Sequence, residues 1–257
     1  ETVAERSRFT MPSPLPEALH HPLLWQGGRR HHRVPTLPTG HERLDRTLPG
    51  GGWPLGALTE LLVARDGVGE FSLLLPTLAE VCRQGGWAVF VDPPWTPYPP
   101  AMRGHGVDLA RVLVVDTQDA KSSLWACEQA LRGVRGGVVL SWLRGGRHQA
   151  GFSHLRRLQL AARSGRKGAF LFRPAEVAGQ ATPAAMRLHL AADEQDLCLT
   201  VLKARGLHAG VQLRLRRPHA AVATTAGAPG EAPGGLAGRR RRAPATTRDS
   251  AQNVGHA

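Results

Sequence analysis

The chain has 257 residues, 42% of them hydrophobic, and a formal charge of +13 at neutral pH. That length supports one main domain with a sizeable core, and the lack of any run of about 18 apolar residues argues against a membrane-spanning helix. Cys82, Cys127 and Cys198 stand far apart with no CxxC and no neighbouring histidine pair, so neither a zinc site nor a disulfide framework is expected.

Residues 1–36 read as an arm with one short helix around "PEALHHPLLW", between proline and glycine breaks. Its histidines His20, His21, His31 and His32 come as adjacent pairs, which does not place two imidazoles on one helix face, so no metal is expected there. No signal-peptide order opens the sequence, and a soluble protein of a reducing cytoplasm is the expectation.

From residue 37 apolar strand-like runs alternate with helix-like segments. The runs at 57–64, 87–92, 111–116, 136–142 and 168–173 are short, β-rich and bounded by turns. Between them, 70–84, 121–134 and 152–163 repeat their apolar residues mainly at three and four positions. Continuous apolar strands joined by helical crossovers predict a mainly parallel sheet covered on both faces. Residues 187–217 read as a closing antiparallel ribbon. The ordered domain is therefore expected to span 37–217.

Residues 218–257 are dominated by Pro, Gly, Ala, Ser and Thr and are expected to be a disordered basic tail. Ten lysines and arginines fall in 203–257 against Glu231 and Asp249 alone. This imbalance suggests an anionic partner, with nucleic acid ahead of a membrane surface. Arg239, Arg240, Arg241 and Arg242 are candidates for that contact, and a solubilising role for the tail stays open.

The stretch "ARDGVGEF", 64–71, follows the first core strand and opens a helix, as a phosphate-binding loop does. The working pattern GxxxxGK[ST] wraps phosphates in backbone amides, with a lysine at the terminal phosphates and a hydroxyl on magnesium. Here Ala64, Gly67 and Gly69 keep the outline, but Glu70 stands at the lysine position and Phe71 at the hydroxyl. A carboxylate there repels a phosphate by roughly 4 kcal/mol at about 4 Å, for an effective dielectric near 20. Ser72, one residue late, is the nearest hydroxyl. Glu70 also stands where it would favourably cap the helix N-terminus.

The segment "LPTGHERLDRTLPGGGWPLGALTELL", 37–62, resembles the opening of the RecA recombinase core: a threonine-glycine turn, a short helix with a leucine-aspartate pair, a glycine-rich turn and the strand before the loop. The similarity continues through 86–92 and 98–115 and on to about 217. Within that superfamily "PGGGWPLGALTELL" resembles the bacterial ImuA group, some members of which are called SulA-like. The resemblance implies an α/β fold of the P-loop NTPase type, RecA-like, with degenerate nucleotide motifs. It also implies an accessory role in damage-induced mutagenic translesion synthesis, beside an ImuB-like protein and an error-prone replicative-type polymerase, in the bacterial cytoplasm and at the nucleoid during DNA damage. RecA itself and single-stranded DNA are further candidate partners.

Set against active RecA proteins, the loop is one of three losses. Ser141 stands where the strand-end aspartate would help hold magnesium, and Pro94 where a glutamate would activate water; Asp92 is read as a strand-end residue. Phosphoryl transfer is almost wholly positioning and charge stabilisation, so no catalytic residue and no ATP or magnesium cofactor is expected. By its place, "GRHQAGFS", 146–153, corresponds to the first DNA-contacting loop of RecA, and Phe152 excludes it as a second phosphate loop. Arg144, Arg147, His148, Arg156 and Arg157 are the candidate DNA contacts there, with a solvated loop as the alternative. The second DNA loop of RecA should fall at 173–186, in abbreviated form. Trp53, Trp95, Tyr98 and Trp125 are read as core packing ahead of base-stacking platforms. Two rivals stay open: a SulA-type division inhibitor that binds the tubulin-like division protein, and a divergent ATPase whose lysine comes from Lys167 or a partner subunit.

Overall fold

The computed structural model describes residues 35–133, 136–143 and 150–216. Residues 1–34 of the N-terminal arm, Arg144, Arg147, His148 and the tail from 217, with Arg239–Arg242, lie outside the described residues.

Two short strands, β1 (Thr36–Leu37) and β2 (Trp53–Pro54), pair antiparallel around a six-residue helix, α1 (Glu42–Thr47). The main sheet then follows in chain order: β3 (Ala57–Val63), α2 (Glu70–Arg83), β4 (Ala88–Val91), α3 (Pro99–Gly104), β5 (Val112–Val115), α4 (Ala120–Gly133), β6 (Val138–Trp142), α5 (Phe152–Gly165), β7 (Gly168–Pro174), β8 (Met186–Ala192), β9 (Asp196–Ala204) and β10 (Gln212–Arg216). Its spatial order is β10-β9-β8-β3-β7-β6-β4-β5. The pairs from β8 to β5 are parallel, and β8-β9 and β9-β10 are antiparallel. The expected parallel sheet with a closing ribbon is thus observed.

The apolar runs become strands because they are buried on both faces. Leu61, Val63, Phe90, Leu140, Phe170 and Phe172 point to one side, against Leu73, Leu74, Leu78 and Val81 of α2. Leu58, Val89, Val139, Ala169 and Leu171 point to the other, against Cys127 and Leu131 of α4 and Leu155, Leu158 and Ala162 of α5. Cover is incomplete at the parallel edge, where Leu113 and Val114 of β5 remain partly exposed.

The signature residues at 37–54 are structural. Thr39 N–H donates to Asp45 Oδ1 at 2.9 Å, and the buried Trp53 indole donates to Thr77 Oγ1 at 3.0 Å. Thr77 in turn donates to the carbonyl of Pro38 at 2.9 Å. Gly40 has φ +77°, and a Cβ there would lie 2.2 Å from Cβ of Pro76 in α2. Only glycine fits that approach. The entire opening motif serves to seat the chain against α2.

Candidate functional site

β3 delivers residues 64–69 to the end of the sheet, and α2 begins at Glu70. Gly67 and Gly69 adopt φ of 81° and 105°, which turns successive amide N–H groups toward one point, the arrangement that makes an anion cradle. The point is filled from within. Gly67 N–H donates to Glu70 Oε1 at 2.9 Å and Gly69 N–H to Oε2 at 3.0 Å, and Glu70 is 5% exposed. Its carboxylate also sits at the positive end of the α2 dipole. The residue that would repel a phosphate is held by the amides that would bind one.

Beneath the loop lies an apolar ladder. Phe71 meets Phe90 at 5.8 Å between ring centroids, Phe90 stacks on Trp142 at 6.2 Å, and Trp142 stacks on Phe172 at 4.4 Å. Trp142, not Ser141, is the strand-end residue of β6 on the loop's side of the sheet. Ser141 is fully buried on the opposite face, among the residues that pack on α4. Neighbouring residues of a strand point to opposite faces, so Ser141 and Trp142 are divided between the two sides of β6. Ser72, half-buried in the first turn of α2, stands beside this ladder.

Asp92, with φ +51°, directs both carboxylate oxygens at Thr117, accepting from its N–H at 2.6 Å and its hydroxyl at 2.8 Å. It ties the end of β4 to the turn before α4. Lys167 lies just before β7, at the sheet end opposite the loop. Its Nζ donates to the carbonyls of Ala130 (3.0 Å) and Leu131 (2.8 Å) near the C-terminus of α4. Burial lowers its pKa to about 8. The expectation that Lys167 supplies a loop lysine within this chain is therefore corrected by position.

Arg156 and Arg157 are brought together on the exposed side of α5. Arg157 is ion-paired with Glu128 of α4 at 2.5 Å, and Arg132 holds the other carboxylate oxygen at 2.7 Å. Trp53 is buried as expected, but Trp95, Tyr98 and Trp125 are 75%, 67% and 61% exposed. The packing expectation fails for these three. Trp95 and Tyr98 leave the sheet on a turn held by Pro93, Pro94, Pro97, Pro99 and Pro100, and Trp125 shares the outer stripe of α4 with Lys121, Gln129 and Arg132.

The second DNA loop expected at 173–186 is a strap. It crosses β3 between β7 and β8 with a short 3-10 helix, Ala175–Gly179, and buries Val177 and Ala184. Under it lies a cluster that motif reasoning missed. Glu60 of β3, fully buried, pairs through Oε1 with Arg173 at 2.8 Å and through Oε2 with Arg187 at 2.5 Å. A charged residue within each of three apolar strand runs was the available signal. Among the described residues no group of histidines, cysteines and carboxylates could hold a metal ion, and no helix is long and apolar enough to cross a membrane.

Residues 20–139 match the RecA N-terminal domain family. The core is RecA-like. It is 34% identical over 114 residues to Protein RecA of Prochlorococcus marinus (strain MIT 9303), covering 44% of this chain and 30% of that protein. Against Protein RecA of Picosynechococcus sp. it is 31% identical over 106 residues, or 41% and 30% of the two chains. Against that of Mesorhizobium japonicum it is 33% identical over 99 residues, or 38% and 27%. The chain thus spans less than a third of these relatives' length, and the family match, 20–139, takes in the opening motif, the filled loop and β3 to β5.

Proposed function

We propose that this chain is a non-catalytic, RecA-like accessory protein of damage-induced mutagenic translesion synthesis. It works with an ImuB-like protein and an error-prone replicative-type polymerase, and it contacts single-stranded DNA or RecA. The observation that carries the non-catalytic part is the Glu70 carboxylate on the Gly67 and Gly69 amides. A cradle satisfied by a covalently attached anion offers a triphosphate no free donors at those positions, and a phosphate placed beside that carboxylate would be repelled. The aromatic ladder at Phe71 and Trp142 supports the same reading, since it presents carbon where a metal needs oxygen. The ImuA assignment is supported by "PGGGWPLGALTELL", in which Gly52 and Trp53 are both structurally required: a Cβ on Gly52 would lie 2.1 Å from the carbonyl oxygen of Leu37.

Complementation tests the reading. In a strain lacking this gene, the wild-type chain restores damage-induced mutation frequency, and so does a Glu70→Gln variant, which can keep only one of the two amide bonds and regains no lysine. Filamentation on overexpression with no change in mutation frequency would instead favour the division-inhibitor reading. Loss of function specific to nucleotide-site variants would favour the ATPase.

A further inference from the structure

A parallel crossover usually returns as a helix, which satisfies its own backbone groups. The return from β7 to β8 does not. Residues 174–185 pass over β3 as a mostly irregular strap, and its carbonyls need donors from elsewhere.

Those donors come from buried guanidinium groups. Arg187 Nη1 donates to the carbonyls of Ala178 and Gln180, each at 2.8 Å, and more weakly to that of Val177 at 3.4 Å. Arg173 Nη2 donates to the carbonyl of Ala150 at 3.1 Å, where the chain re-enters ahead of α5. At the rim, Lys203 Nζ donates to the carbonyl of Thr182 at 2.9 Å, and the strap's own Ala185 N–H donates to Leu58 of β3 at 3.0 Å. Arg173 precedes the strap and Arg187 follows it, and the single carboxylate of Glu60 grips both from the strand it crosses.

The charges do not balance. Arg173 and Arg187 are 2% and 4% exposed, and among the described residues Glu60 is their one carboxylate partner. Removing Glu60 would leave two buried guanidinium groups without a counter-charge, whereas removing either arginine leaves a balanced pair. We propose that Glu60 and Arg187 form a clasp that holds 174–185 shut across β3, with Arg173 fastening the turn at Ala150 to the same carboxylate, so that 174–185 is a fixed strap of the fold and not a loop that orders when a ligand arrives. Glu60 is the positioning residue for both ends, Arg187 for the strap alone, and Arg173 for the turn at Ala150 alone.

Hydrogen exchange on the full-length protein without ligand tests this directly. In the wild type, the amides of 175–181 are protected. Arg187→Met raises their exchange roughly tenfold or more while leaving β4, α2 and the start of α5 unchanged. Arg173→Met does the reverse, loosening the first turn of α5 and leaving the strap closed. Glu60→Gln loosens both, and if that variant does not fold, the two arginine variants still decide the matter. Wild-type strap amides that exchange at the rate of unstructured peptide would overturn the proposal. So would either arginine variant raising exchange evenly across the molecule, or Arg187→Met leaving 175–181 protected.

Discussion

Glu60 and Glu70 lie ten residues apart in one strand, loop and helix, both are buried, and both hold a loop in place, yet they are stabilised by opposite means. Glu70 rests on two neutral amides and a helix dipole. Glu60 rests on two full cations in a setting that excludes water. The first arrangement fills a site built for an outside anion; the second fastens a segment to the sheet. A carboxylate in an apolar run is thus informative through its partners, and those partners differ by element: adjacent backbone for Glu70, strands more than a hundred residues away for Glu60.

That contrast sets the size of the expected effects. Glu60→Gln leaves two buried guanidinium groups without a counter-charge and should cost about 3–5 kcal/mol in urea unfolding; a loss under about 1 kcal/mol would mean water reaches the cluster. Glu70→Ala removes two charge-assisted hydrogen bonds but leaves only neutral amides behind, in a loop where Gly67 is exposed and Gly69 half-buried, so water can replace the carboxylate. Its cost should be smaller, about 1–3 kcal/mol, and an equal or greater loss would reverse the comparison.

Lys167 gives a third, weaker case of buried charge. Its pKa falls to about 8 in the folded chain from 10.5. The unfolded chain therefore binds more protons in that window, and stability should rise as pH increases from about 8 toward 10.5. This rise should be absent from Lys167→Met. The smallest effect is on reactivity alone: burial pushes the Cys127 thiol up to about 12, and Cys82 is likewise raised. Iodoacetamide should label the half-buried Cys198 first and reach Cys127 only on unfolding.

The parallel sheet was legible because both-faces burial writes continuous apolar runs into the sequence, and α2, α4 and α5 announce themselves by period. The filled loop was legible in part. Glu70 and Phe71 were visible as losses, and a helix-capping role for Glu70 was foreseen, but its bonds to the Gly67 and Gly69 amides depend on two left-handed glycines. The identity of Ser141 is legible in the sequence, but its place on the face of β6 away from α2 is not, since that depends on the pleat of the strand. The strap was not legible, since 174–185 has no periodicity and its fastening joins residues at 60, 173 and 187. Trp95 and Tyr98 read as core because they adjoin apolar strands, although five surrounding prolines mark a turn that leaves the sheet.

The central claim is that the phosphate loop is occupied by the chain's own carboxylate and takes no nucleotide. Thermal unfolding of the wild-type protein with and without millimolar ATP and magnesium tests it most directly, because a ligand at about 100 times its dissociation constant adds about 2.7 kcal/mol to the folded state. The account predicts superimposable melting curves. A concentration-dependent rise in Tm that needs both ATP and magnesium would contradict it.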